Sequence, residues 1–182
     1  MHFRHITALL VPVLFFLSCS SVSEEDKRDA KEFLQKSDKF VNAILDADSI
    51  YVSAVHLIVN NADSIDGKGK IREEKKEINI KSRYNQLLKV FTANRDSVKQ
   101  LLSRSKQYNV NKELNLFCND YEKIISIQYA TIRDSLMAAS KKKKKKITIE
   151  LILDDAYTAD SILNVRVKSL NLEMKKFKDK YE

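Results

Sequence analysis

Apolar residues recur at steps of three and four along most of this 182-residue chain, the spacing of one face of an α-helix. Over residues 24–65, Phe33, Ser37, Phe40, Ile44, Ala47, Tyr51, Ala54, Ile58 and Ile65 form one stripe, which predicts a first long amphipathic helix. A second is predicted over about 71–107, with Ile80, Tyr84, Leu87, Phe91, Val98 and Leu101 inward. Tyr108 to Asn111 makes a break in which Asn109 or Asn111 can cap a third helix carrying Leu114, Phe117, Tyr121, Ile125, Gln128, Ile132 and Leu136. The last helix has two seven-residue series, Ile149, Ala156, Leu163, Leu170, Phe177 and Leu153, Asp160, Val167, Met174, Tyr181. A strict period of seven implies left-handed, nearly antiparallel packing. Ile147 to Leu151 alternates like a strand but has no partner strand, so it is read as the start of that helix.

Turn residues are nearly missing. The one proline is Pro12, and the two glycines, Gly67 and Gly69, share one short segment that ends the first helix. Sandwiches, doubly wound sheets and phosphate-cradling loops need more turn residues than this. The fold class expected is all-α, an antiparallel up-down bundle of four long helices over residues 24–182. One ambiguity is residues 140–146, where the seven-residue series Tyr121, Gln128, Ser135, Lys142, Ile149 runs through unbroken. The alternative is three helices, with one continuous helix over about 112–182. Six adjacent ammonium groups and lysine on the seam argue for a hairpin instead, which buries the whole stripe of the last helix.

Residues 1–18 read as an export signal, with Arg4 ahead of a twelve-residue apolar segment from Ile6 to Leu17. Twelve residues rise only about 18 Å as a helix, short of a hydrocarbon core of roughly 30 Å. Phe16-Leu17-Ser18-Cys19 resembles the lipobox of bacterial lipoproteins, departing from it at Phe16, where leucine is usual. The resemblance implies cleavage before Cys19, lipidation of its thiol, and a linker over 19–23 joining a membrane anchor to the helical domain. Two or more acyl chains give stable anchoring where one is marginal. Ser20 directly after the cysteine resembles outer-membrane sorting, and Glu24-Glu25-Asp26 resembles the surface-export signals of Bacteroidetes lipoproteins. Ser23 followed by three acids is equally a helix N-cap with charges suited to the macrodipole.

Net charge is +8, and only Arg4 of the charged residues lies in 1–18, so residues 19–182 keep +7. Lys141, Lys142, Lys143, Lys144, Lys145 and Lys146 supply six of these. The basicity is one local tract, a candidate contact for an anionic polymer or acidic protein, and nucleic acid is not an expected partner. With Cys19 lipidated, Cys118 is left as a single thiol and reads as a small buried hydrophobe. His56 is the one histidine after the signal, and no paired-cysteine, His-x-x-His or Glu-x-x-His pattern accompanies it, so neither a metal site nor a cofactor is expected. No nucleophile elbow or glycine loop points to catalysis.

Asp-Ser followed by an aliphatic residue occurs five times, at Asp48, Asp63, Asp96, Asp134 and Asp160, more often than the chain's composition would give by chance. Irregular intervals exclude a solenoid period. These carboxylates are expected to be solvated or register-setting. The alternative is an internal polar layer that binds a small ligand or cation. Asp160 falls on the seam of the last helix, whereas Asp96 and Asp134 flank theirs. The functional expectation is a lipid-anchored cell-envelope bundle that binds another macromolecule without chemistry of its own.

Overall fold

The computed structural model describes residues 22–63, 79–105, 108–141 and 149–181. Residues 1–21, which include Cys19, residues 64–78, which include both glycines, and Lys142 to Lys146 lie outside the described residues; Lys141 is the last residue of a helix. The elements are α1 (Glu24–Asp63), α2 (Ile80–Arg104), α3 (Asn109–Lys123), a π-helical turn (Ile124–Tyr129), α4 (Ala130–Lys141) and α5 (Ile149–Tyr181). α3, the π turn and α4 follow without a break and make one rod. The described residues therefore form four long helices and no strand.

Each helix packs against two neighbours: α1 against α2 and α5, and the rod against α2 and α5. Directions alternate. Phe33 of α1 meets Phe177 of α5, and Ser169 and Arg166 of α5 bond Glu113 and Asp120 of α3, so α5 runs back along the rod. That antiparallel return is the hairpin topology, and it excludes one continuous helix through residue 182. On the diagonal, Phe40 meets Phe117 and Tyr51 meets Tyr129, so α1 and the rod run parallel. The start of α1 shares one end of the bundle with the aromatic cluster of Phe33, Tyr108, Phe177 and Tyr181. The end of α4 and the start of α2 share the other, where the Arg133 guanidinium lies 4.2 Å over the Tyr84 ring.

Helix ends follow local chemistry. Ser23 caps α1, its Oγ accepting the Asp26 N–H at 3.0 Å, and Glu24, Glu25 and Asp26 fill the first turn where carboxylates favour the dipole. α2 starts at Ile80, where Asn79 leaves helical geometry and its side chain accepts the Ser82 N–H at 2.9 Å; the expected helical stretch over 71–78 lies outside the described residues. It ends at Arg104, three residues short of the expected end, with Ser105 extended. Neither Asn109 nor Asn111 caps α3. Tyr108 holds that position with extended backbone, and its carbonyl accepts the Asn111 N–H at 3.0 Å.

The core follows the predicted stripes closely in α1 and α2, where Phe33, Phe40, Ile44, Tyr51, Tyr84, Leu87 and Phe91 are all buried. The stretch Glu24–Asn60 is long and apolar enough to span a membrane by length and composition, but its apolar stripe is buried against the other helices. In the rod the phase departs. Leu114, Phe117 and Tyr121 are buried as expected, but Tyr129 takes the interior place expected for Gln128, which is half-buried. The π turn between them winds one extra residue into the helix and moves that one inward place from 128 to 129, while Ile125, Ile132 and Leu136 are buried as expected. In α5 the buried series is Ile152, Ala159, Leu163, Leu170, Met174 and Phe177, and Asp160 is exposed instead of lying on the seam. An α-helix drifts by roughly 20° per heptad against a strict period of seven, and over 33 residues that drift turns Asp160 outward.

The extra residue of the π turn is testable by deletion. Removing the exposed Ser126 should convert the rod to an unbroken α-helix, with Tyr121 and the present Tyr129 then seven positions apart and both still inward. Helicity and cooperative unfolding should survive, with a loss of about 1–3 kcal/mol as buried hydroxyls lose acceptors on the π turn. Deleting the exposed Lys89 from α2 rotates everything after it by about 100° and should abolish cooperative unfolding. Circular dichroism and urea titration of the two variants check this.

Candidate functional site

A buried carboxylate and four tyrosine hydroxyls gather where α1 meets the rod. On α1, Ile44, Asp48, Tyr51, Val55 and Val59 share a face at helical spacing, and this puts a carboxylate on the core side. Asp48 is 9% exposed, and its Oδ1 accepts two phenol hydroxyls, Tyr121 at 2.7 Å and Tyr129 at 2.8 Å. The Tyr51 hydroxyl donates to the Tyr129 carbonyl at 2.8 Å, and the Tyr84 hydroxyl donates to the Ile125 carbonyl at 3.2 Å. Four tyrosines from three helices thus bond either the carboxylate or the backbone of the π turn. A wider turn tilts its carbonyls off the helix axis, so they can accept from a side chain.

Burial dominates the electrostatics here. It pushes the Asp48 carboxyl above the usual carboxylate range; the two tyrosine bonds oppose the shift, and the charge of Asp160 adds to it. The Tyr121 and Tyr129 phenols are held above their ordinary range by burial and by the Asp48 charge, which keeps both protonated as donors. Burial and the neighbouring Tyr84 do the same for Tyr51. Asp48 therefore faces acceptor-satisfying hydroxyls and not cations.

The four Asp-Ser carboxylates described form no common layer, although Asp160 lies near enough to Asp48 for its charge to act there. Asp48 is buried, Asp96, Asp134 and Asp160 are exposed on three different helices, and nothing is described for the Asp63 side chain. Asp134 is forked by Arg133 at 2.8 and 2.9 Å, and Asp160 accepts from Asn164 at 3.0 Å. Among the described residues no three His, Cys, Asp or Glu side chains lie close enough together to hold a metal ion. His56 is exposed on α1. Cys118 is buried, and burial pushes its thiol up to about 12, so it packs as a small hydrophobe and is not a nucleophile at neutral pH.

Sequence reasoning singled out Asp48 and Tyr121 for different reasons and did not join them. It missed Tyr129 and the π turn. The available signal was the spacing Tyr121, Ile125, Tyr129, Ile132, whose successive fours depart from a heptad.

The Asp48 carboxyl makes stability depend on pH with a definite sign. Its folded-state pKa stands above the unfolded value, so between the two the native state holds the extra proton. The contribution is complete below the unfolded pKa and is lost as pH rises through the folded one. Asp48→Asn removes this titration while keeping an oxygen for both hydroxyls. The unfolding free energy of the native chain minus that of Asp48→Asn should fall as pH rises from about 3 to 8, measured by urea titration. A flat difference would refute the assignment.

No protein-family model matches the chain, and neither a curated protein nor a solved structure matches it.

Proposed function

We propose that the chain is a lipid-anchored cell-envelope protein whose bundle holds an anionic-partner contact away from the membrane and performs no chemistry itself. In this reading Cys19 carries the lipid, residues 1–18 are removed, and the protein belongs to the outer membrane. The partner is an acidic protein or an anionic envelope polymer. The observation that carries it is topological. α1 begins, five residues after Cys19, at one end of the bundle, and α4 ends, at the first residue of the Lys141 to Lys146 run, at the other. A helix of 40 residues spans roughly 60 Å. A lysine near an anionic surface contributes about 1 kcal/mol, and this falls away within a Debye length of about 8 Å. A tract at the far end therefore adds nothing to anchoring and is free for a partner opposite.

The interior supports a binding role on the outside. Asp48 is engaged by tyrosines of the same chain, so the most polar group of the core is already part of the packing.

Two variants test the reading together. Cys19→Ala should abolish acyl labelling and release the protein from the membrane fraction. Changing Lys141 to Lys146 to glutamine should leave membrane retention and helicity unchanged and remove salt-sensitive capture of an anionic polysaccharide. Release of the glutamine variant from the membrane would overturn the opposition of anchor and tract. Undiminished polymer capture would overturn the role of the tract.

A further inference from the structure

α5 carries a second regular stripe outside the core. Leu151, Thr158, Val165 and Leu172 recur every seven residues, and Leu151, Val165 and Leu172 are 52%, 63% and 54% exposed. A helix that served only the core would hold polar residues there. Charge is also divided along this helix. Residues 149–165 contain Glu150, Asp154, Asp155 and Asp160 and no Lys or Arg. Residues 166–181 contain Arg166 and five lysines against Glu173 and Asp179. The bundle uses part of this charge, pairing Arg166 with Asp120 and Lys176 with Glu173. Glu150, Asp154, Lys168 and Lys175 are exposed and make no ion pair among the described residues.

We propose that this outer face of α5 pairs with the same face of a second copy, the two helices antiparallel about a two-fold axis at Ser161 and Ile162. A two-fold there sets Leu151 against the partner's Leu172 and Thr158 against the partner's Val165. The same axis brings Asp154 beside the partner's Lys168 and Glu150 beside the partner's Lys175. Apolar stripe and charge division thus select one register and one direction. Parallel pairing would lay the acidic halves together and the basic halves together, and like charges across a seam are repulsive. Such an interface is isologous and closes at two copies. The seam from Leu151 to Leu172 is roughly 31 Å long, and one pair of helix faces of that length buries less than the roughly 1,600 Å² of a standard interface. The dimer is therefore weak and dependent on concentration and salt.

The pairing rests on α5 alone and not on the anchor or the lysine tract. It sets the two bundles head to tail, so anchored chains that pair this way stand on opposed surfaces.

Sedimentation of the full chain in mild detergent, over a range of concentrations, should show a monomer–dimer equilibrium that shifts to monomer at high salt. Val165→Glu with Leu172→Glu, both at exposed positions, should leave helicity and melting unchanged and give monomer throughout. Direction is read by oxidation. A mixture of Leu151→Cys and Leu172→Cys chains should form a disulfide-linked dimer absent from either chain alone. Monomer at every concentration, a dimer that survives the double glutamate change, or crosslinking of Leu172→Cys chains by themselves would each overturn the proposal.

Discussion

Asp48 is the costliest side chain in the core, because a carboxylate taken out of water loses solvation that few contacts can replace. Its compensation comes from two phenol hydroxyls, and bonds to a charged acceptor are each worth about 1.5–3 kcal/mol. Those hydroxyls can reach it only if Tyr121 and Tyr129 both face α1. Eight residues on an ordinary helix turn well past two full turns, whereas one π turn brings the second tyrosine back to the same side. The carbonyls that the wide turn tilts away are in turn met by Tyr51 and Tyr84. Carboxylate, extra residue and four tyrosines therefore form one connected set of contacts, in which removal of Asp48 takes the acceptor from both the Tyr121 and the Tyr129 hydroxyl.

Elsewhere the bundle is held by simpler means. Aromatic pairs run through it from Phe33 and Phe177 at one end to Tyr51 and Tyr84 nearer the other, with centroids 5.7 and 6.1 Å apart. The ion pairs joining Arg95 to Glu122 and Arg166 to Asp120 lie at the helix boundaries, where partial exposure limits their value to register. Stability is thus distributed, and specificity of alignment is concentrated at the tyrosine layer.

The Asp48 carboxylate and the four phenols of the interior bond one another and the backbone of the π turn, while the outer face of α5 carries exposed apolar residues and exposed charges. Exposed surface of this kind, on a bundle whose first helix spans roughly 60 Å, fits the binding role proposed above.

Period and composition by themselves determined the class of this protein. Steps of three and four, with almost no glycine or proline, permit only long helices, and those helices can bury their stripes only against each other. Most of the stripes of α1 and α2 could be named from spacing because an undistorted helix keeps its phase, but Ala47, Ile58 and Leu101 are half-buried while Asp48, Val55 and Val59 are buried. Helix ends were less legible: Asn79 and Tyr108 act through backbone angles that no spacing reveals. Tertiary structure alone decided the rest. Whether residue 128 or 129 faces inward depends on a π turn that costs backbone geometry locally and is returned by hydroxyls from α1 and α2. Whether an Asp-Ser pair is buried depends on which helix lies across from it, so of the four similar local sequences described Asp48 is buried and Asp96, Asp134 and Asp160 are exposed. Local sequence sets the period of a helix, but a buried polar contact needs partners distant in the chain, and only the packed bundle brings them together.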